Sequence, residues 1–189
     1  ADYMETSPLG RAEWIKLYGL LLGSSKADSL FSAIEKEYLQ LKAEAAKLPL
    51  GLSILTERKT GNVWYVPGGK STMGILLRDA HARYIFADDT HSLSMSPEQI
   101  IAKGNQVDVW AFKYFGGNAL TKQDLLAEYQ GYQALKAFQT GTVYETDTSC
   151  EPYFELTSFH PEILLREFII LSHPEAGDKF GKLRFYKKY

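Results

Sequence analysis

Between Ser7 and Leu48, apolar side chains recur at helical spacing. Ser7 followed by Pro8 reads as a helix N-cap with proline in the first position, where no amide hydrogen is needed. Trp14, Leu17, Tyr18, Leu21 and Leu22 begin the stripe, Gly23, Ser24 and Ser25 interrupt it, and Leu30, Phe31, Ile34, Tyr38, Leu41 and Ala45 continue it. Glu35, Lys36, Glu37, Lys42 and Glu44 occupy the other side, so the stripe must be buried against something. The pattern predicts a long helical region over residues 1–49.

After Pro49 the period changes from helical to extended. Leu52–Glu57 and Val63–Val66 flank Arg58–Asn62, a hairpin signal built on Gly61 and Asn62. Pro67–Ser71 is a turn, with Ser71 placed to cap a helix carrying Met73, Ile75, Leu76, Leu77 and Ala80. Tyr84–Phe86 reads as a short strand and Ala87–Met95 as a polar loop. Ser96, Pro97, Glu98 and Gln99 open a helix that stops near Gly104. Val107–Phe112 reads as a buried strand, followed by an aromatic, glycine-rich loop over Lys113–Ala119. Thr121 and Asp124 have capping-box spacing and start a helix that Gly141 ends. Thr142–Thr146 is a further strand, Asp147–Phe159 a long irregular loop, Pro161–Leu171 the last helix, and the basic, aromatic tail an edge strand. Strands alternating with helices predict an α/β layered sandwich: a mostly parallel sheet of four to five strands flanked by helices and preceded by a long N-terminal connecting helix.

The chain has 189 residues, 45% hydrophobic and 13% aromatic, enough to form a packed core without disulfides or metal. A net charge of −2 gives no electrostatic footprint for nucleic acid. The single cysteine, Cys150, has no intrachain partner and says little about redox compartment. No signal peptide or lipoprotein cysteine is present, and no apolar run approaches the roughly 18 residues of a membrane span. An export signal, if there is one, is expected to lie outside this sequence.

Signatures of catalysis are missing. Gly68-Gly69-Lys70-Ser71 resembles the end of a phosphate loop, but Trp64 stands where its first glycine is required, so a helix-capping turn is the simpler reading. His81, His91, His160 and His173 lack metal-ligand spacing, and no nucleophile–base–orienter set emerges. No catalytic residue, metal or cofactor is expected. In open α/β sheets, ligands sit at the carboxyl ends of the strands. Those ends offer Tyr65, Lys70, Ser71, His91, Lys113, Tyr114, Phe115, Tyr153 and Phe154 as candidate ligand-binding residues, a set suited to a flat anionic or polar-aromatic ligand. Glu98 has two readings at this point: a first-turn acid that favours its helix, or an exposed functional charge.

The order of elements resembles the C-terminal part of a class III periplasmic substrate-binding protein, the family that delivers iron–siderophore complexes, haem or vitamin B12 to ABC importers. The most specific match is Ser96–Trp110, similar to the family's Ser-x-Glu-x-Leu-Leu helix followed by Pro-Asp-Val-Ile and a strand. Gly69–Phe86 resembles the family's glycine-led segment, Ser158–Leu171 its closing helix, and Ser7–Leu48 its connecting helix. The resemblance implies a connecting-helix region over 1–49, a ligand-binding lobe over 50–189, and an absent N-terminal lobe. It also implies a metal chelate as ligand, an iron–siderophore before haem or a corrinoid, an inner-membrane ABC permease as partner, and a periplasmic or membrane-anchored extracytoplasmic location. Glu98 matches the family's permease-docking glutamate. Two departures qualify the match: Asn105-Gln106 stands where Pro-Asp is commoner, and His91-Ser92 stands where cobalamin binders carry an aromatic. The competing readings are a chelatase-like enzyme using His91 with Asp88 or Glu151, and an interaction module with no small ligand.

Overall fold

The computed structural model describes residues 4–189. Ser7 caps the first helix as expected, its Oγ accepting the Gly10 amide at 3.2 Å, and α1 runs over Pro8–Leu21. The interruption at Gly23–Ser25 is a full chain reversal, with Gly23 in the left-handed region at φ 66°. α2 (Ala27–Ala45) then folds back antiparallel on α1. The long helix expected over Ser7–Leu48 is therefore a helical hairpin, with α2 as its longer arm. Gly19 lies against Ala27, the Lys16 ammonium sits 4.2 Å from the Phe31 ring centroid, and Ala12 packs with Phe31 and Ile34.

A Cβ at position 19 would stand 2.2 Å from that of Ala27, so this glycine sets how closely the two helices approach. Gly19→Leu is expected to lower stability by about 1–3 kcal/mol through overpacking. An unchanged thermal midpoint would show that the helices are not in contact there.

β1 (Ile54–Thr56), β5 (Val109–Tyr114), β6 (Val143–Asp147) and β7 (Lys187–Lys188) form the main sheet, in the order β1-β5-β6-β7. The β1–β5 and β5–β6 pairs are parallel, and β7 closes one edge antiparallel to β6. Alternation along the strands divides the core. Ile54, Val109 and Ala111 face α2, α3 (Thr72–Asp79) and α8 (Pro161–Ser172), whereas Leu55, Trp110 and Phe112 face a second cluster containing Trp64, Tyr132 and Phe138. α2 shares the first cluster through Tyr38, Leu41 and Ala45. The Tyr38 hydroxyl donates to the buried Asp79 carboxylate at 2.9 Å, and Lys42 pairs with the same group at 3.1 Å.

Five local expectations change. The hairpin's first strand is β2 (Lys59–Thr60), paired with β3 (Val63–Val66) around Gly61 at φ 58°, while Ile54–Thr56 joins the main sheet. Glu57, at φ 67°, turns the chain between the two sheets. β4 (Leu93–Met95) completes a separate antiparallel sheet with β2 and β3. Tyr84–Phe86 is a turn rather than a strand, tied to the sheet through a bridge between Ser53 and Arg83. The helix expected from Thr121 to Gly141 is broken into α5 (Lys122–Glu128), a 3-10 turn at Gln130–Ala134 and α6 (Lys136–Thr140). Part of the expected loop over Asp147–Phe159 is α7 (Tyr153–Phe159), which abuts α1 and α8. The described residues contain no helix long and apolar enough to cross a membrane.

Candidate functional site

Three strands of the main sheet end on the same side and release the loops where ligands gather in such folds. β1 gives way to Glu57 and Arg58, β5 to Phe115–Leu120, and β6 to Thr148–Pro152 and α7. Phe115, 82% exposed, and Phe154, 57% exposed, stand out from two of these loops. Tyr65 projects from the outer face of β3, also 57% exposed, between the buried Trp64 and Val66. More than half of each of these three residues lies in water, whereas Trp64, Trp110, Phe112, Tyr132, Phe168 and Phe185 are fully buried.

Lys113 forms an ion pair with Glu57, and its ammonium lies 5.7 Å from the Tyr153 ring centroid. Arg58 pairs with Glu128 at 3.0 Å and lies over the Phe112 and Tyr114 rings. Lys113, Tyr153 and Phe154 meet in a cavity of about 200 Å³ between α1, α3, α7 and α8, which Arg11, Thr72 and Met73 also line. Its apolar walls and cationic rim suit a small anionic group carrying an apolar body.

The other predicted residues lie elsewhere. Ser71 caps α3, accepting the Gly74 amide at 3.1 Å and donating to the Gly68 carbonyl at 2.7 Å. Gly69 donates to the Asp89 carbonyl at 2.7 Å, and a Cβ on it would lie 1.9 Å from the Ala87 oxygen. The Gly68–Ser71 turn is thus filled by the Ala87–His91 segment and is a helix cap, not a phosphate cradle. Lys70 lines a different cavity, of about 300 Å³, with Arg78 and His81. His91 is exposed, its Nδ1 2.7 Å from the Thr90 hydroxyl. Tyr114 turns inward and donates to the Asn118 carbonyl at 2.9 Å, with burial pushing its phenol up to about 12. Tyr153 is almost wholly buried against Phe185 and Tyr186 and presents only an edge to the cavity.

Sequence reasoning missed Arg11, Thr72 and Met73, because the cavity exists only once α1 folds back over the lobe. Among the described residues, no group of three or more His, Cys, Asp or Glu side chains comes together to hold a metal ion. Of the chelatase-like group, Glu151 pairs instead with Lys187 at 3.1 Å. Glu98 is exposed in the first turn of α4 (Pro97–Ile101), where it accepts from the Tyr129 hydroxyl at 3.2 Å. Its own backbone amide, then the Ser96 hydroxyl, holds its carboxyl below the usual glutamate range. The helix start itself is secured by a capping box between Ser96 and Gln99, independently of Glu98.

The sequence profile described as periplasmic binding protein matches residues 2–149. The chain belongs to that family. This periplasmic binding protein is 27% identical over 192 residues to the uncharacterized lipoprotein MJ0872 of Methanocaldococcus jannaschii, an alignment covering 98% of this chain and 48% of that protein. Among solved structures, its fold is similar to the ABC-type Fe3+-hydroxamate transport system from Saccharomonospora viridis. That match has a TM-score of 0.64 at 19% identity, covering 91% of this chain and 57% of that one. It is also similar to the periplasmic vitamin B12 binding protein BtuF of Vibrio cholerae, with a TM-score of 0.63 at 14% identity, covering 89% and 62%. At these identities the structural likeness is one of fold. The chain spans about half the length of the curated relatives it matches. A mostly parallel sheet flanked by helices is the architecture the sequence resemblance implied, and the family assignment agrees with it.

Proposed function

We propose that this chain is one lobe of the solute-binding component of an ABC importer, holding a metal chelate of the iron–siderophore kind without chemically altering it. The observation that carries the reading is the pair of exposed aromatics on the strand-end segments, Phe115 and Phe154, together with the cavity that Phe154 lines with Lys113 and Arg11; Tyr65 adds an exposed ring on β3. Aromatic faces and cations recognise a flat, anionic, partly apolar chelate. The similarity to an Fe3+-hydroxamate transport structure supports this class of ligand, and the lipoprotein relative supports an extracytoplasmic place on a lipid anchor.

In this reading the solute is shared with a first lobe that precedes residue 1 in a longer protein. Leu20, Leu21 and Leu22 are 71–83% exposed along the outer end of α1, an apolar surface that such a lobe would cover. Glu98 is then the charge that docks on the permease.

The test is titration of the two-lobed protein with ferric catecholate and hydroxamate chelates, haem and a corrinoid, read by tryptophan fluorescence. Submicromolar binding of a ferric chelate is expected, weakened about tenfold or more in Phe115→Ala, as loss of a stacking anchor does. Binding of the corrinoid alone would move the ligand class. Binding of none would overturn uptake of metal chelates.

A further inference from the structure

Phe115 is the most exposed large aromatic at the strand ends, yet the loop beneath it is tightly held. The Asp147 carboxylate, at the last position of β6, accepts the Gly116 amide at 3.3 Å and the Gly117 amide at 2.7 Å. It also accepts the amide and the hydroxyl of Ser149, at 2.9 and 2.7 Å. The Ser149 contacts are local to the β6 turn and alone would fix that turn. The contacts to Gly116 and Gly117 reach a separate loop, some 30 residues earlier in the chain, and bind the β5 loop to the β6 loop. From the other side, the Tyr114 hydroxyl grips the Asn118 carbonyl at 2.9 Å. The Thr148 amide and hydroxyl both donate to the Tyr114 carbonyl, at 2.8 and 2.9 Å. Gly117 adopts φ 75°, a left-handed conformation that lets its amide point at the carboxylate.

The loop is therefore fixed at both flanks of its one exposed aromatic side chain. Charge-assisted hydrogen bonds to a carboxylate are stronger than neutral ones, and stacking on an aromatic is tightest when the ring is already held in place. We infer that Asp147 is a positioning residue for solute binding: it touches no ligand, and it holds the Phe115 loop in its binding-competent form. The inference rests on the chelate-binding reading above. Asp147→Asn keeps the size of the side chain but turns an amide donor toward at least one of the five donors it receives, the Cys150 thiol at 3.8 Å being the fifth. The hydrogen bonds from Ser149 hold the Asp147 carboxyl below the usual aspartate range. The clamp is accordingly present above the ordinary aspartate pKa of about 3.9 and is lost only as pH falls through the lower folded value.

The test uses the full-length, two-lobed protein and a ferric tris-catecholate as probe, in a cycle of Asp147→Asn, Phe115→Ala and the double variant. Asp147→Asn is expected to weaken the probe about tenfold, while the thermal midpoint stays within roughly 3 °C of the parent. In the Phe115→Ala background, Asp147→Asn should have no further effect on affinity, because it acts through that ring. Hydrogen exchange should show the Gly116 and Gly117 amides protected in the parent and released in Asp147→Asn. An undiminished affinity in Asp147→Asn, or a loss that adds in full to that of Phe115→Ala, overturns the positioning role while leaving the chelate reading intact. A parent that binds no chelate overturns the chelate reading first, and the positioning role with it.

Discussion

Replacing Glu167 by alanine is expected to cost about 2–4 kcal/mol of stability, lowering the thermal midpoint by roughly 5–15 °C. Glu167 lies in the middle of α8, 1% exposed, and accepts the backbone amides of Arg184, Phe185 and Tyr186, the last two at 3.3 and 2.9 Å. Three consecutive amides of the C-terminal tail thus converge on one carboxylate. That anchor seats Phe185 and Tyr186 in the core against Tyr153 and Phe168. Alanine leaves those amides buried without acceptors and opens a void beside the rings, and each effect alone is worth more than a typical surface substitution. Burial holds the Glu167 carboxyl above the usual glutamate range, outweighing the pull of the three amides. A glutamate that protonates more readily in the folded state contributes most below its unfolded pKa of about 4.3, and that contribution fades as pH rises through the higher folded value. The gap between parent and Glu167→Ala, measured by denaturant unfolding, should therefore be widest near pH 4 and narrow toward pH 8. A variant within 2 °C of the parent at both ends would show that the tail is held by its aromatics alone.

Features that depend on neighbours in sequence were legible, and features that depend on a distant partner were not. Ser7, Ser71, Ser96 and Thr121 all cap the helices their spacing announced, because a cap is a bond across three residues. The strand read at Val107–Phe112 forms two residues later, as Val109–Tyr114, and was legible from the apolar and aromatic run Val109–Phe112, which a sheet covered on both faces demands. The partner of Ile54–Thr56 was not. A buried triplet such as Ile54–Thr56 pairs equally well with a hairpin mate or a parallel strand, and the choice lies in Glu57, whose left-handed backbone no composition rule singles out. Tyr84–Phe86 has the aromatic content of a strand but spends it on packing, with the Tyr84 hydroxyl bonded to the Pro67 carbonyl. The helix Tyr153–Phe159 lacks a side-chain cap and so read as loop.

The same division runs through the candidate site. That strand ends would carry exposed aromatics was foreseeable from Phe115 and Phe154. Which tyrosines turn inward was not, since Tyr114 and Tyr153 differ from Tyr65 only in the tertiary neighbours that cover them. Arg11 enters the cavity because α1 lies against α3, α7 and α8, contacts between distant segments that the local pattern does not announce.

Reversing the charge at Glu98 is expected to separate the docking proposed for it from folding. The side chain is exposed at the rim of α4, and its hydrogen bond from Tyr129 lies on the surface. Neither supports the core, and the helix start is held by Ser96 and Gln99 whatever occupies position 98. Glu98→Arg should therefore leave the thermal midpoint within about 2–3 °C of the parent, since surface changes away from structural features rarely exceed half a kcal/mol and loss of a first-turn acid adds at most about one. Affinity for a ferric chelate should be unchanged, because Glu98 lines neither cavity of the candidate site. If the permease offers cations to this surface, an arginine sets like charges face to face, a mismatch that costs several kcal/mol. Association of the two-lobed protein with its importer should then fall on the order of a hundredfold, and Glu98→Gln should fall between parent and Glu98→Arg while flattening the salt dependence of the on-rate. The measurement is importer binding by surface capture at two ionic strengths, alongside transport of the chelate into vesicles. Equal on-rates for parent and Glu98→Arg would leave Glu98 as a residue that favours its helix start and nothing more.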